Sequence, residues 1–236
     1  MKIKLFTIPN LLTLSNLLCG SFAAVAALAY GNLSLAFGLI VLAAVFDFLD
    51  GFAARLLHQS SPIGLQLDSL ADDITFGFAP SAVLFVLYGR MHAHLLPEAE
   101  WIPFVVFVFA ACAALRLARF NIDDTQRDEF LGLPSPAAAL FCASLGWISE
   151  SHEIVFSRET VLVAALGMAV LMLASVRMFA LKFHGFGWRG NAIRYLFLAL
   201  CVVTIVVLRL YSIPAIVILY ILISAIRWGL RRNSND

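Results

Sequence analysis

Long apolar stretches separated by short polar ones run through almost the whole chain. Each stretch approaches the roughly 20 residues that a helix needs to cross the hydrocarbon core of a bilayer. Turn-forming Gly, Asn and Pro residues lie at several of the boundaries. The pattern predicts an all-α protein, a polytopic membrane helical bundle of about eight transmembrane helices. The predicted spans cover approximately residues 11–30, 34–56, 68–89, 101–119, 136–150, 159–181, 194–210 and 212–229.

Composition supports a membrane protein. Of 236 residues, 62% are hydrophobic and only 13% are charged, and the mean hydropathy is +0.93. A soluble globular domain is closer to half apolar, so this chain has too little charge to cover a water-facing surface. The net charge of +1 gives no sign of a nucleic-acid partner, and membrane lipids are the expected surroundings. No linker or repeat divides the chain, which predicts one integral membrane domain over residues 1–236.

The distribution of basic residues predicts the orientation, because cytoplasmic loops of membrane proteins carry an excess of Lys and Arg. With eight spans and a cytoplasmic N-terminus, 13 of the 16 Lys and Arg residues fall on the cytoplasmic side. Arg90, Arg158 and Arg209 fall outside. We therefore predict an integral protein of a bacterial-type inner (cell) membrane, with both termini in the cytoplasm.

Four carboxylates gather where the second predicted span ends and the third begins. Asp47 and Asp50 are three residues apart, and Asp68 and Asp72 are four apart, so each pair lies on one face of its helix. The turn-forming stretch between the pairs brings the two faces together on the predicted cytoplasmic side. Arg55 is the nearby cation and cannot balance four negative charges. Oxygen ligands favour a hard divalent metal; the alternative is a set of helix-end carboxylates solvated at the interface.

The carboxylates belong to the pattern D-x2-D-G-x2-A-R-x8-G-x3-D-x3-D, which runs from Asp47 to Asp72. This pattern is similar to the signature of the CDP-alcohol phosphotransferases. These membrane enzymes transfer a substituted phosphate from a CDP-linked donor to an alcohol and release CMP. Further stretches resemble the branch that makes phosphatidylserine from CDP-diacylglycerol and L-serine. They are IPNLLTLSNLLCG (8–20), DSLADDITFGFAP (68–80), LRLARFN (115–121) and FLGLPSPAAA (130–139).

The resemblance implies roles for individual residues. It implies that Mg²⁺ or Mn²⁺, as two ions, is bound by Asp47, Asp50, Asp68 and Asp72, and that Asp72 also takes the proton of the attacking hydroxyl. It further implies a homodimer. The predicted orientation places the catalytic site at the cytoplasmic face. The implied nucleotide and donor site is formed by Asn10, Thr13, Asp50, Gly51, Ala54, Arg55 and Gly64.

The acceptor site is left open by the sequence. Arg116, Arg119 and Asn121 end the fourth predicted span, and an Arg fork suits the carboxylate of serine or a lipid phosphate. Arg177 and Lys182 are rivals for that role, and simple interfacial placement of these cations is the alternative.

Two other functions fit the pattern. One is a different enzyme of the same family, with choline, glycerol phosphate or an inositol-type acceptor. The other is a cation transporter, whose carboxylates would lie near the middle of the bilayer on interrupted helices. Carboxylates at helix ends favour the enzyme.

Overall fold

A computed structural model of the chain describes residues 5–91, 99–123, 129–152, 154–179, 187 and 191–233. Helix α1 (Ile8–Leu28) begins after Thr7, whose side chain accepts a hydrogen bond from the backbone of Asn10. Helix α2 (Leu33–Leu56) begins after Asn32, which caps the amide of Leu35. The turn between the two helices passes through Gly31, whose φ of 63° favours glycine.

The next helix has an unusual centre. Helix α3 (Pro62–Asp72) begins after Ser61, whose hydroxyl caps the amide of Gly64 at 3.1 Å. It continues through a π-helical segment, Asp73–Phe78, into α4 (Ala79–Arg90). The wider π turn starts directly after Asp72, and such turns are frequent at functional sites.

The remaining elements follow in chain order. A 3-10 turn (Ile102–Phe107) leads into α5 (Val108–Ile122). Then come β1 (Glu129–Leu131), α6 (Ser135–His152), α7 (Arg158–Leu173), β2 (Arg177–Phe179), α8 (Ala192–Leu208) and α9 (Ser212–Asn233).

The structure confirms a polytopic helical membrane protein. Within the described residues, five helical stretches are long and apolar enough to cross a membrane: Ile8–Leu28, Leu33–Leu56, Pro62–Arg90, Ile102–Ile122 and Ala192–Leu230. The last of them contains a break at Arg209, whose φ is 48°. The number of eight spans stays a prediction, because α6 and α7, at 18 and 16 residues, are not among these five stretches.

The predicted sixth span, residues 159–181, is wrong at its end. Helix α7 stops at Leu173, and the backbone of Ala174 is extended, with ψ of 146°. Strand β2 then pairs antiparallel with β1. The amide of Gly132 donates to the carbonyl of Val176 at 2.9 Å, so a distant segment binds the chain just after the helix end.

The end of the bundle away from the Asp residues is tied by polar contacts. Glu150 of α6 accepts hydrogen bonds from the first amides of α2, with Ser34 N at 2.6 Å. Arg90 at the end of α4 pairs with Glu150 at 3.2 Å and donates to the carbonyl of Gly31. Arg158 at the start of α7 donates to Met91 O at 2.7 Å. The contacts of Glu150 and Arg90 hold the start of α2 at this end of the bundle. The last turns of α2, which carry Asp47 and Asp50, therefore lie at the opposite end.

Candidate active site

Helix α1 organises the site. Both α2 and α3 pack on α1 rather than closely on one another, which leaves a gap between their facing sides. The gap forms a cavity of about 230 Å³. Its lining consists of Pro9, Asn10, Thr13, Asp50, Gly51, Ala54, Arg55, Gln59, Ser60, Ser61, Gly64, Leu65 and Asp68.

Three carboxylates meet at one side of this cavity. Asp47, Asp50 and Asp68 each offer a carboxylate oxygen, and these oxygens lie within 4.8 Å of one another. Asp68 Oδ1 is buried and accepts no hydrogen bond from the described residues. Carboxylates that converge where they are partly removed from water repel each other, and a cation relieves that repulsion. An all-oxygen set of this kind fits a hard divalent ion such as Mg²⁺ or Mn²⁺.

Asp72 lies beside this group rather than within it. Its side chain is buried, and its carboxyl group is within hydrogen-bond reach of that of Asp47. Asn16 Nδ2 of α1 donates to Asp72 Oδ1 at 3.1 Å. Asp72, the fourth predicted ligand, therefore contacts the other carboxylates through Asp47, and Asn16 of α1 binds it as well.

Helix α1 also contacts the donor side of the cavity. Thr13 Oγ1 donates to Asp50 Oδ2 at 2.6 Å, a short bond to a buried carboxylate. Asn10 Nδ2 donates to Leu5 O at 2.8 Å, which fixes its side-chain amide. A Cβ added to Gly64 would lie 3.1 Å from Asn10 Oδ1, so a glycine lets α3 approach α1 here.

The small residues of α2 leave open space. A Cβ on Gly51 would meet only the guanidinium of Arg55, at 3.8 and 3.9 Å. Arg55 itself is exposed and lines the cavity together with Ala54. A bulky group can therefore approach this face of α2 with a cation beside it. All seven residues predicted for the donor site line this one cavity.

Arg116 is an acceptor candidate whose charge interacts with a carboxylate of the site. It is 7% exposed, its Nη1 donates to Ser135 Oγ at 2.8 Å, and its charge interacts with that of Asp72. Its guanidinium carbon lies 6.0 Å from the ring centre of Phe120. Arg116 Nε is buried and donates to none of the described residues.

The other acceptor candidates are placed differently. Asn121 Nδ2 donates to Ser69 Oγ at 2.7 Å and thus ties the end of α5 to α3. Arg119 is half-buried in the last turns of α5. Arg177 is exposed in β2, where its Nη1 lies 4.0 Å from Glu129 Oε2. Lys182 lies outside the described residues.

Some residues of the site had no role assigned from the sequence. Asn16 contacts Asp72, and its only sequence signal is its spacing from Asn10 and Thr13 on one face of α1. Gln59, Ser60 and Ser61 line the cavity, although the sequence suggests only a turn there. The π-helical segment after Asp72 leaves no periodic signal in the sequence.

Several known proteins are similar to this chain in sequence. A CDP-diacylglycerol–serine O-phosphatidyltransferase of Bacillus subtilis is 30% identical over 179 residues, covering 75% of this chain and 92% of that protein. The protein of the same name from Helicobacter pylori is 31% identical over 231 residues, covering 95% and 92%. That from Methanocaldococcus jannaschii is 32% identical over 174 residues, covering 74% of each. The sequence profile of the CDP-alcohol phosphatidyltransferases matches residues 6–183, and the chain belongs to this family.

Proposed function

We propose that this protein transfers the phosphatidyl group of CDP-diacylglycerol to L-serine and so produces phosphatidylserine and CMP. The observation that carries the proposal is the cavity between α2 and α3, which joins three converging carboxylates to a face of small residues and one cation. The names of the similar proteins from three organisms support serine as the acceptor.

The carboxylates are proposed to hold the metal. Asp47, Asp50 and Asp68, with Asp72 beside them, would bind Mg²⁺ or Mn²⁺, as two ions. When bound, these ions neutralise phosphate oxygens of the donor and of the leaving CMP. Thr13 keeps Asp50 oriented by its 2.6 Å hydrogen bond.

The donor site would be formed by the cavity-lining residues. Gly51 and Ala54 admit the nucleotide, because neither presents a bulky side chain to the gap. Arg55 offers a charge-assisted fork to a phosphate. Asn10 and Gly64 form the part of the lining where α1 and α3 meet.

Asp72 is proposed to act as the base. The serine hydroxyl oxygen forms a bond to the phosphorus that carries diacylglycerol, and the bond from that phosphorus to the oxygen of CMP breaks. The hydroxyl proton passes to the Asp72 carboxylate. Correct placement of the hydroxyl and the phosphorus supplies much of the rate, because a carboxylate alone is a weak base for an alcohol.

Arg116 is the best candidate for the serine carboxylate. It is buried near Asp72 and has a nitrogen without a partner among the described residues. A guanidinium binds a carboxylate through two parallel hydrogen bonds. We assign the remaining candidates to the outer part of the acceptor or lipid-phosphate site: Arg119, Asn121, Arg177 and Lys182.

The surroundings of the site are also proposals. A single catalytic domain spans residues 1–236, its active site faces the cytoplasm, and both termini lie on that side. The excess of Lys and Arg predicted there supports this orientation. The family resemblance supports a homodimer.

The acceptor is tested with a panel of alcohols. Purified protein receives CDP-diacylglycerol, Mg²⁺ and one alcohol at a time, and CMP release is measured. Serine is expected to give the highest kcat/KM, whereas choline, glycerol 3-phosphate and inositol give little. A preference for glycerol 3-phosphate would assign the protein to another activity of the family. Absence of CMP with every alcohol would refute phosphatidyl transfer.

A further inference from the structure

Asn16 in the middle of α1 is a fully buried polar residue beside the proposed base. Its side chain has no exposed surface, and its Nδ2 donates to Asp72 Oδ1 at 3.1 Å. Its own Oδ1 is buried and accepts no hydrogen bond within the described part of the chain. The bond to Asp72 is therefore the one polar contact that this side chain makes there.

The unpartnered Oδ1 of Asn16 bears on why an amide side chain stands at this position. Burying an amide oxygen without a donor costs free energy, so an apolar side chain of similar size would suit this position better for packing alone. The amide offers one compensating feature, which is its donor to the Asp72 carboxylate. A purely structural role explains Asn16 poorly, whereas a role toward Asp72 explains it directly.

Backbone contacts hold the amide in place. Thr75 Oγ1, three residues after Asp72, donates to the carbonyl of Asn16 at 3.2 Å. One turn further along α1, Gly20 lies so close that a Cβ there would be 2.7 Å from Thr75 Cα. These two contacts fix the register of α1 against the start of the π-helical segment, so the Asn16 amide stays opposite Asp72.

We infer that Asn16 is a positioning residue that sets the orientation of the Asp72 carboxyl group for proton transfer. Its hydrogen bond engages Oδ1 from the side of α1, so it fixes the rotation of the carboxyl group that is proposed to accept the proton of the alcohol. The inference rests on the proposed function, because it takes Asp72 as the base. Misplacing a reacting group by about 1 Å can cost 10²-fold in rate, so loss of this bond should lower kcat.

The test is Asn16→Leu in the full-length protein with Mg²⁺. Leucine branches at Cγ as asparagine does, is larger, removes the donor and also removes the unpartnered oxygen. We expect kcat to fall by about 10²-fold, while KM for both substrates, donor affinity and the thermal unfolding midpoint change little. Ser81→Ala is the matched control, since Ser81 is as buried as Asn16, lies on the helical stretch that also carries Asp72, and donates only to Gly77 O at 2.9 Å. It should keep the wild-type kcat.

Each outcome decides between explanations. A wild-type kcat in folded Asn16→Leu overturns the inference, and so does a parallel loss of kcat, donor affinity and thermal stability. Asn16→Ala gives the same comparison if the leucine variant does not fold. The ratio of variant to wild-type kcat is measured with whichever alcohol the wild type accepts. A wrong acceptor therefore refutes the serine assignment alone, and no CMP with any alcohol refutes the proposed function together with the inference.

Discussion

Replacement of Asp72 by Asn separates chemistry from binding. The amide of the Asp72→Asn variant would keep an oxygen to accept the Asn16 hydrogen bond and would offer an NH₂ group to the nearby carboxylate of Asp47. The local contacts are therefore preserved, but the amide cannot take a proton from the serine hydroxyl. General base catalysis contributes about 10²-fold or more, and each tenfold change corresponds to about 1.36 kcal/mol. We expect kcat to fall at least 10²-fold, which is a rise of about 2.7 kcal/mol in the barrier.

The assay is single-turnover CMP release together with donor binding, both at saturating Mg²⁺. Donor affinity should fall much less than the rate, because Asp47, Asp50 and Asp68 still converge. Asp73→Asn is the matched control: it is the neighbouring Asp in sequence, its carboxylate lies beside Gly77, and its Oδ1 has no partner among the described residues. It should keep normal turnover.

Asp47→Asn gives the opposite pattern. It removes one of the three converging carboxylates and also a neighbour of Asp72, so metal affinity and donor affinity should fall together. Near-normal turnover in Asp72→Asn would refute the assignment of the base. Near-normal metal and donor affinity in Asp47→Asn would refute its role as a ligand.

The metal, the open face of α2, Arg116 and Gly20 give four further predictions. Excess EDTA should abolish CMP release and Mg²⁺ should restore it; full activity in EDTA would remove the metal from the mechanism. Gly51→Leu fills the open face of the cavity, so donor affinity should fall without loss of thermal stability. Arg116→Lys keeps the positive charge but loses the two parallel donors of the guanidinium. Loss of one charge-assisted hydrogen bond should raise KM for serine about tenfold or more. An unchanged KM would exclude Arg116 from the acceptor site. Gly20→Ala places a Cβ against Thr75 and should lower the free energy of unfolding by about 1–3 kcal/mol, measured by thermal unfolding. The control Gly38→Ala adds its Cβ to open space and should leave that free energy unchanged.

Local spacing predicted much of the candidate site. Apolar stretches of membrane-spanning length appear directly in the sequence, and the described residues contain five helical stretches long and apolar enough to cross a membrane. The three- and four-residue spacings put each pair of Asp residues on one helix face, because an α-helix repeats every 3.6 residues. The short turn between the pairs predicted that those two faces lie near each other. Asp47, Asp50 and Asp68 accordingly converge.

Contacts between distant segments were decided by the tertiary structure. Spacing cannot say that α2 and α3 both pack on α1, nor that Asn16 rather than Asn10 reaches Asp72. It also cannot show that the charge of Arg116 in α5 interacts with that of Asp72.

The strand pair that ends α7 has the same origin. Strand β1 (residues 129–131) pairs with strand β2 (residues 177–179), and neither stretch is long enough for its sequence to predict a strand. A helix face follows from local periodicity, whereas the partner of that face depends on which surfaces pack together. At Gly20 and Thr75 that choice depends on the absence of a single Cβ, and it sets which α1 side chain faces the proposed base.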